Sequence, residues 1–166
     1  MAGWRAPGPR RLIAATGLLA LALVGGGVVL AQTLNLAACP LCVLQRMVYL
    51  LLALESAVIL LLARSSGALR ASSAAMAATA LTGAGIAAYQ VSLQRFPKGI
   101  GCTAGQPWWE EVVTWAGQQL PLLFEATGSC SEAGWKLLGL SIADWSLLIF
   151  LALAAAMMFA AIGRRA

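Results

Sequence analysis

Four long apolar runs constrain this chain more than any other feature of its sequence. Leu12–Ala31, Ala71–Leu93 and Trp145–Gly163 contain no charged residue, and Val43–Ala63 contains two. A helix of about 20 residues crosses the ~30 Å hydrocarbon core of a bilayer, and lipid leaves the backbone no hydrogen-bond partner outside the helix. We therefore predict an all-α integral membrane protein in which residues 1–166 form one four-helix bundle.

The composition excludes the main classes of soluble protein. Hydrophobic residues make up 61% and charged residues 10% of the chain, against roughly 45–50% and 25% in soluble domains. Such a chain has too little polar surface for a soluble domain and is too hydrophobic to be disordered. The net charge of +5 does not indicate nucleic-acid binding, because the basic residues lie at the ends of apolar runs. Histidine, the usual general base and the commonest metal ligand, is absent from the sequence.

The distribution of arginine predicts the orientation of the bundle. Loops on the cytoplasmic side of a membrane protein are enriched in Lys and Arg. With four spans, both termini and the turn between spans two and three share one side, and its charged residues are Arg5, Arg10, Arg11, Arg64, Arg70, Arg164 and Arg165. The other side has acidic and basic residues together. We predict cytoplasmic termini and two outer loops, residues 32–42 and 94–144.

All four cysteines fall in the two outer loops. An even number of cysteines on the oxidising side of a membrane indicates disulfide chemistry. Cys39 and Cys42 form a Cys-x-x-Cys motif at the start of the second span, where a helix N-terminus stabilises a thiolate. Cys102 and Cys130 lie in the long loop. Four cysteines allow three pairings, and spacing alone does not choose among them.

Arg46 strengthens the case for chemistry at the Cys-x-x-Cys motif. It lies four residues after Cys42 and therefore on the same helix face, one turn deeper. An ionisable residue at membrane depth is costly and indicates a functional site. Arg46 would stabilise a thiolate at Cys42 or the negative oxygen of an electron acceptor beside it. The alternative is an arginine whose side chain reaches lipid head groups.

A tryptophan-rich segment of the long loop predicts a fifth, shorter helix. Indole side chains favour the membrane–water interface, and Trp108–Leu120 has the length of a short amphipathic helix that ends at Pro121. We expect this helix to lie on the outer membrane surface and to bring the loop cysteines towards the second span. The alternative is that the tryptophans only anchor the loop.

Glycines within two spans predict close contacts between helices. Gly25, Gly26 and Gly27 lie in the first span, and Gly83 and Gly85 lie in the third. Small residues let helix backbones approach closely in membranes. We therefore expect both groups of glycines to lie at helix–helix contacts.

Three sequence features together match a known family: the motif Cys39-Pro-Leu-Cys42-Val-Leu-Gln-Arg46, the cysteines Cys102 and Cys130, and the segment Gly128–Leu140. In this combination the chain resembles the DsbB family, bacterial inner-membrane proteins that reoxidise the periplasmic thiol oxidase DsbA. The resemblance runs from the first span to the last. It implies a multi-pass inner-membrane protein with its cysteines on the periplasmic side.

The resemblance also implies an electron path through the cysteines. The disulfide attacked by the reduced thiols of DsbA corresponds to Cys102–Cys130, with Cys102 forming the mixed disulfide. The electrons then pass to the pair Cys39–Cys42, and from Cys42 to a bound quinone. A quinone and a disulfide each exchange two electrons, so no metal is expected.

The quinone contacts implied by the resemblance are Arg46 and Gln90. Arg46 matches the family arginine beside the quinone, and Gln90 stands where enteric relatives have a histidine. Some relatives carry glutamate where this chain has Gln45. Ubiquinone is the expected acceptor, with menaquinone as the alternative.

Other hypotheses fit parts of the sequence. A non-catalytic tetraspan scaffold would use the cysteines as bracing disulfides, and a zinc or copper carrier would use them as ligands. A vitamin K epoxide reductase-like protein shares the bundle, the Cys-x-x-Cys motif and the quinone chemistry, but the order of the cysteine pairs favours DsbB. Leu36-Ala37-Ala38-Cys39 also resembles a lipoprotein cleavage site. The long basic and apolar segments before it argue against a cleaved signal.

Overall fold

Four long helices lie side by side, and shorter elements cover one end of them. The structure, a computed structural model, describes residues 8–96, 107–132 and 134–163. Its elements in chain order are α1 (Pro9–Thr33), α2 (Pro40–Leu62), α3 (Ser66–Arg95), α4 (Trp108–Gln119), α5 (Pro121–Phe124), β1 (Lys136–Leu137), β2 (Leu140–Ser141) and α6 (Ile142–Ile162). Helices α1, α2, α3 and α6 are each long and apolar enough to cross a membrane. The predicted all-α membrane bundle is confirmed.

The long helices coincide with the four apolar runs of the sequence. Ala63 and Gly163, the last residues of the second and fourth runs, fall just beyond α2 and α6. Helix α3 has 30 residues, which corresponds to roughly 45 Å and exceeds the ~30 Å core of a bilayer. Its C-terminal end therefore extends beyond such a core, and Arg95 there pairs with Asp144 in the first turn of α6 at 2.8 Å.

Local sequence fixes where three of these helices begin. Cys39 caps α2, its sulfur accepting a hydrogen bond from the Cys42 N–H, and Pro40 supplies a preset backbone angle for the first turn. Ser65 caps α3. Ser141 and Asp144 form a reciprocal capping box at α6, which satisfies backbone donors that the helix itself leaves free.

Glycine and small residues bring the helices together at two points. Helix α3 packs along α6, and α1 packs along α2. Gly83 of α3 faces the fully buried ring of Phe150, and a Cβ at this position would overlap the ring. Gly17 of α1 faces Ser56 in the same way, and the Ser56 hydroxyl donates to the Ile13 carbonyl at 2.8 Å.

The prediction for the other glycines was wrong. A Cβ at Gly25, Gly26, Gly27 or Gly85 would meet no atom within 4 Å. The buried stripe of α1 runs through Ile13, Gly17, Ala20 and Val24 at helical spacing, and the glycine triplet lies beyond the packed part of that stripe. These glycines border open space, so a small side chain there is not required for packing.

The long loop adds the predicted short helix and two elements that were not predicted, the one-turn helix α5 and a β-hairpin. Helix α4 matches the predicted Trp108–Leu120 helix, with Trp108 and Trp115 exposed and Val113 and Ala116 buried. Strands β1 and β2 form a two-residue antiparallel hairpin before α6. Leu138 and Gly139 form its turn, both with positive φ.

Candidate active site

The Cys-x-x-Cys motif forms the first turn of α2. The Cys39 and Cys42 sulfurs lie 3.0 Å apart, and the Cys42 backbone N–H also points at the Cys39 sulfur, at 3.3 Å. Both cysteines are free thiols in this structure. Cys39 is only 3% exposed, whereas Cys42 is half-buried. The first turn of α2 therefore keeps the two sulfurs adjacent, at the helix N-terminus that the sequence predicts for the motif.

Cys130 lies against Cys39, although the two residues come from different loops. The backbone N–H groups of Thr127 and Gly128 donate to the Ala38 carbonyl at 3.0 and 2.9 Å. A Cβ on Gly128 would overlap the Ala37 carbonyl, so glycine is what lets the two backbones meet. The sequence predicted that the long loop would bring its cysteines towards the second span, but it did not identify Cys39 as the residue that Cys130 meets. The fourth cysteine, Cys102, lies outside the described residues.

The contact between Cys130 and Cys39 shifts the pKa values of the two thiols in opposite directions. The hydrogen bond with Cys130 raises the pKa of the Cys39 thiol, and the hydrogen bond with Cys42 and burial raise it further. The same contact lowers the pKa of Cys130, against the opposing effect of burial. Since the thiolate is the nucleophile in disulfide exchange, Cys130 is the sulfur of this pair that is prepared to attack.

Arg46 lies one helical turn from Cys42 and is held by α5 of the long loop. Its guanidinium donates to the backbone carbonyl of Leu123 in α5. The residue is half-buried, and no acidic side chain pairs with it in the described part of the chain. The arginine is therefore oriented by a protein carbonyl, and its charge stays available to a negative group near Cys42.

Gln90 of α3 reaches across to the same two sulfurs. Its side-chain amide N–H groups point at Cys39 and Cys42, at 3.2 and 3.0 Å from the sulfurs. The Gln45 amide donates in turn to the Gln90 side-chain oxygen at 2.7 Å. The structure thus brings the candidate residue Gln90 to the sulfurs themselves.

Gln45 was not among the residues singled out as functional. The available signal was chemical: an amide within an apolar span needs a hydrogen-bonding partner, and Gln90 is the corresponding amide of the third span. Tyr49, one turn below Gln45, stacks on Phe150 with ring centroids 4.1 Å apart, and its hydroxyl bonds the Ser146 hydroxyl at 3.1 Å. This aromatic pair closes the site towards the bundle interior.

A cavity of about 280 Å³ opens beside these groups. Cys39, Cys42, Gln45, Arg46, Tyr49 and Gln90 all border it. Its opposite walls come from apolar residues of α1, including Leu23, Val24, Gly27 and Leu30, and from the loop residue Trp135. The cavity therefore combines reactive sulfur, one fixed cation and an apolar wall. Among the described residues no cluster of three His, Cys, Asp or Glu side chains is arranged to hold a metal ion.

Comparison with known proteins identifies the family of the chain. The sequence model described as Disulfide bond formation protein DsbB matches residues 9–160. The chain belongs to the DsbB family. Its relatives include Disulfide bond formation protein B of Dechloromonas aromatica, 41% identical over 143 residues, and that of Polaromonas sp. strain JS666, 34% identical over 147 residues.

These matches extend over most of each protein. The Dechloromonas match covers 85% of this chain and 85% of the relative, and the Polaromonas match covers 88% and 86%. Disulfide bond formation protein B 1 of Pseudomonas fluorescens is 34% identical, with 85% and 82% covered. This DsbB-family chain is therefore a multi-pass membrane protein of disulfide bond formation, and the family implies oxidoreductase activity.

Proposed function

We propose that this chain is a thiol:quinone oxidoreductase of the bacterial inner membrane that reoxidises a DsbA-like periplasmic thiol oxidase. The observation that carries the proposal is the position of Cys42, whose sulfur borders a cavity shared with Arg46 and Gln90. A redox-active sulfur in a half-apolar pocket next to a fixed positive charge suits electron transfer to a lipid-soluble acceptor. The cysteines lie on the periplasmic side and both termini lie in the cytoplasm.

The residues around the cavity fit a quinone ring and its lipid tail. The apolar wall of α1 would contact the ring and tail, while Arg46 and Gln90 provide hydrogen-bond donors near Cys42. When bound, a quinone supplies an acceptor for two electrons and two protons. Ubiquinone is the proposed acceptor, with menaquinone as the alternative that the same contacts would accept.

The contact between Cys130 and Cys39 supports a relay between the two cysteine pairs. The reduced partner first converts the Cys102–Cys130 disulfide into two thiols and itself becomes a disulfide. The Cys130 thiolate then attacks Cys39 of a Cys39–Cys42 disulfide; a Cys39–Cys130 bond forms and Cys42 leaves as a thiolate. Cys102 next attacks Cys130 and releases Cys39. The net result is a Cys102–Cys130 disulfide and a reduced Cys39 and Cys42 pair.

Within this relay, Cys42 ends as the thiolate that faces the cavity. The helix start of α2 and the N–H groups of Gln90 surround it with donors, and Arg46 places a positive charge one turn away. These groups favour the charged sulfur over the neutral one. The oxidation of the Cys39 and Cys42 thiols back to a disulfide releases two electrons and two protons, which matches the capacity of the acceptor.

The test is an anaerobic assay with purified full-length protein, a reduced DsbA-like protein and a short-chain ubiquinone. Cys42→Ala should abolish both partner oxidation and quinone reduction, read as thiol content and quinone absorbance. Ser131→Ala, a change at an exposed loop residue, is the control and should leave both rates unchanged. Quinone reduction that persists in Cys42→Ala would refute the proposal.

The role proposed for Arg46 is tested in the same assay. Arg46→Met removes the charge beside the cavity and should raise the apparent KM for quinone by about tenfold, the equivalent of one charge-assisted hydrogen bond. Arg95→Met is the matched control, since Arg95 is an exposed arginine paired with Asp144. An unchanged KM in Arg46→Met would remove this residue from the site.

A further inference from the structure

We infer that Gln45 is a positioning residue that orients the Gln90 amide so that both of its N–H groups point at the sulfurs of Cys39 and Cys42. The inference takes from the proposed function only the identity of the reacting sulfurs. It assigns the two glutamines to the control of sulfur reactivity, before any acceptor is involved.

Three hydrogen bonds connect Gln45, Gln90 and the two sulfurs, and they branch at the Gln90 amide. Gln45 of α2 donates to the Gln90 oxygen at 2.7 Å, and the Gln90 nitrogen lies 3.2 Å from the Cys39 sulfur and 3.0 Å from the Cys42 sulfur. Gln45 is 4% and Gln90 is 2% exposed, so water does not compete for these amides. An amide nitrogen carries two N–H donors, which matches the two sulfurs.

The orientation of the Gln90 amide decides the sign of its effect on sulfur. With N–H groups towards the pair, the amide stabilises a thiolate, which is a hydrogen-bond acceptor. With the amide reversed, its oxygen would face the sulfurs and disfavour negative charge there. Gln90 by itself fits both orientations because its two ends have nearly the same shape. The Gln45 N–H group, by binding the oxygen, selects the first orientation.

Other charged and titratable groups near the sulfurs are the same in the methionine variants proposed below. Arg46 lies on the same helix as Cys42, and Cys130 lies against Cys39. Glu110 of α4 acts on Cys130 through its charge, and Glu132 borders the cavity. A change that appears when only a glutamine is replaced therefore reports on the amide pair.

The experiment measures Cys42 alkylation in full-length protein that has been reduced, purified in detergent and freed of quinone. Short pulses of iodoacetamide between pH 5 and pH 9, followed by fragment mass spectrometry, give the rate at Cys42 against pH. Gln90→Met keeps the side-chain length and removes the donors. It should lower the rate about tenfold at pH values below the wild-type midpoint, as expected for one hydrogen bond to a charged group.

A double-mutant cycle then separates positioning from an independent effect. Gln45→Met should also lower the Cys42 alkylation rate and shift the midpoint of its pH dependence to higher pH. The double variant Gln45→Met/Gln90→Met should be no slower than Gln90→Met, because Gln45 acts only through Gln90. Effects that multiply in the double variant, or a wild-type profile in Gln90→Met, would overturn the inference.

Gln45→Glu gives a second decision with a side chain of the same shape. An ionised Glu at this position accepts hydrogen bonds, so it should draw the Gln90 N–H groups away and turn the Gln90 oxygen towards the sulfurs. The midpoint of the Cys42 alkylation rate should then shift to a higher pH than in Gln45→Met. Gln94→Glu is the control, since Gln94 is the next amide of α3 and bonds Ser141 instead. It should keep the wild-type profile.

The Gln45→Glu result also decides the question if Gln45→Met fails to fold, which gel filtration and thermal unfolding would show. A Gln45→Glu profile equal to that of Gln94→Glu would overturn the inference. No quinone is present in this measurement. A wild-type protein that fails to reduce quinone would therefore refute the proposed function and leave the alkylation result intact.

Discussion

Cys130 and Cys39 show how a single backbone contact sets the chemistry of a pair of sulfurs. Their proximity depends on Thr127 and Gly128 donating to the Ala38 carbonyl. The contact lowers the pKa of Cys130 and raises that of Cys39. At neutral pH the thiolate fraction is therefore larger at Cys130, which makes Cys130 the better nucleophile of the two.

The first prediction follows from this difference in acidity. In the fully reduced protein at pH 7, Cys130 should react with iodoacetamide faster than Cys39, because only the thiolate is a good nucleophile. Raising the pH should narrow the difference, since Cys130 is the first of the two to become fully ionised. Timed alkylation with mass spectrometry measures both rates, and faster labelling of Cys39 at pH 7 would contradict the assignment.

Gly128→Ala tests whether the backbone contact carries the relay. The added Cβ would overlap the Ala37 carbonyl and should push Cys130 away from Cys39. We expect oxidation of the DsbA-like partner to slow by about tenfold or more, the scale of effect that small misplacements have on reacting groups. Quinone reduction driven by a small dithiol acting directly on the Cys39–Cys42 disulfide should continue.

The control for this variant is Gly67→Ala in α3, where a Cβ meets no atom within 4 Å. It should leave both activities unchanged. Equal loss of the partner-driven and dithiol-driven rates in Gly128→Ala would mean that the glycine supports the whole site rather than the contact between the two loops.

Sequence reasoning reached the individual residues of the site better than their contacts. Cys39, Cys42 and Arg46 stand out because each is a reactive or charged group at the start of an apolar run, whereas Gln90 was reached only through the family resemblance. The contact between Cys130 and Cys39 and the pair Gln45–Gln90 join segments far apart in the chain. No local pattern encodes these residue-to-residue contacts; the sequence predicted only that the loop cysteines would approach the second span.

At the scale of helices, the apolar runs determined the fold but not the points of contact. Helix existence follows from the bilayer, which demands internal hydrogen bonding. Contact points depend on the rotation of each helix about its axis. The sequence leaves this rotation open for α1 and α3, because small or apolar side chains lie on every face of these helices. All of these glycines were expected at helix–helix interfaces. The expectation was correct for Gly83 and wrong for Gly85 and the α1 triplet.

Gly83→Ala should destabilise the bundle. Its Cβ would overlap the Phe150 ring, which is fully buried and stacked on Tyr49 and so has little room to move. Overpacking of this kind costs typically 1–3 kcal/mol. Gly85→Ala, two residues away and facing open space, is the control. Thermal unfolding in detergent should show a lower Tm only for Gly83→Ala, and equal Tm values would contradict the packing described here.

Glu55 links two helices deep in the bundle. The Thr79 hydroxyl of α3 donates to one oxygen of Glu55 at 2.8 Å. The other Glu55 oxygen is buried and has no partner among the described residues. Glu55 lies nine residues after Arg46 and therefore half a turn around α2, so its neighbour is Thr79 and not the arginine. Its contact with Thr79 joins α2 to α3 in a region remote from the sulfurs.

The whole molecule is polarised between its two ends. At one end arginines contact helix C-terminal carbonyls: Arg10 donates to Leu60 at 2.9 Å, and Arg70 donates to Ala161 at 2.7 Å. Positive charge is favourable at helix C-termini, and the same residues predict the cytoplasmic side. The cysteines of the described residues, the cavity and α4 all lie at the other end. The same arginines therefore stabilise helix C-termini and carry the positive charge that predicts the cytoplasmic side.

The central claim is that Cys42 passes electron pairs from a partner dithiol to a quinone in the adjacent cavity. The most direct measurement is the anaerobic stoichiometry of purified protein given a limiting amount of reduced DsbA-like protein and excess short-chain ubiquinone. We predict one quinone reduced for each partner disulfide formed, with no turnover in Cys42→Ala. Partner oxidation without a matching loss of oxidised quinone would contradict the claim.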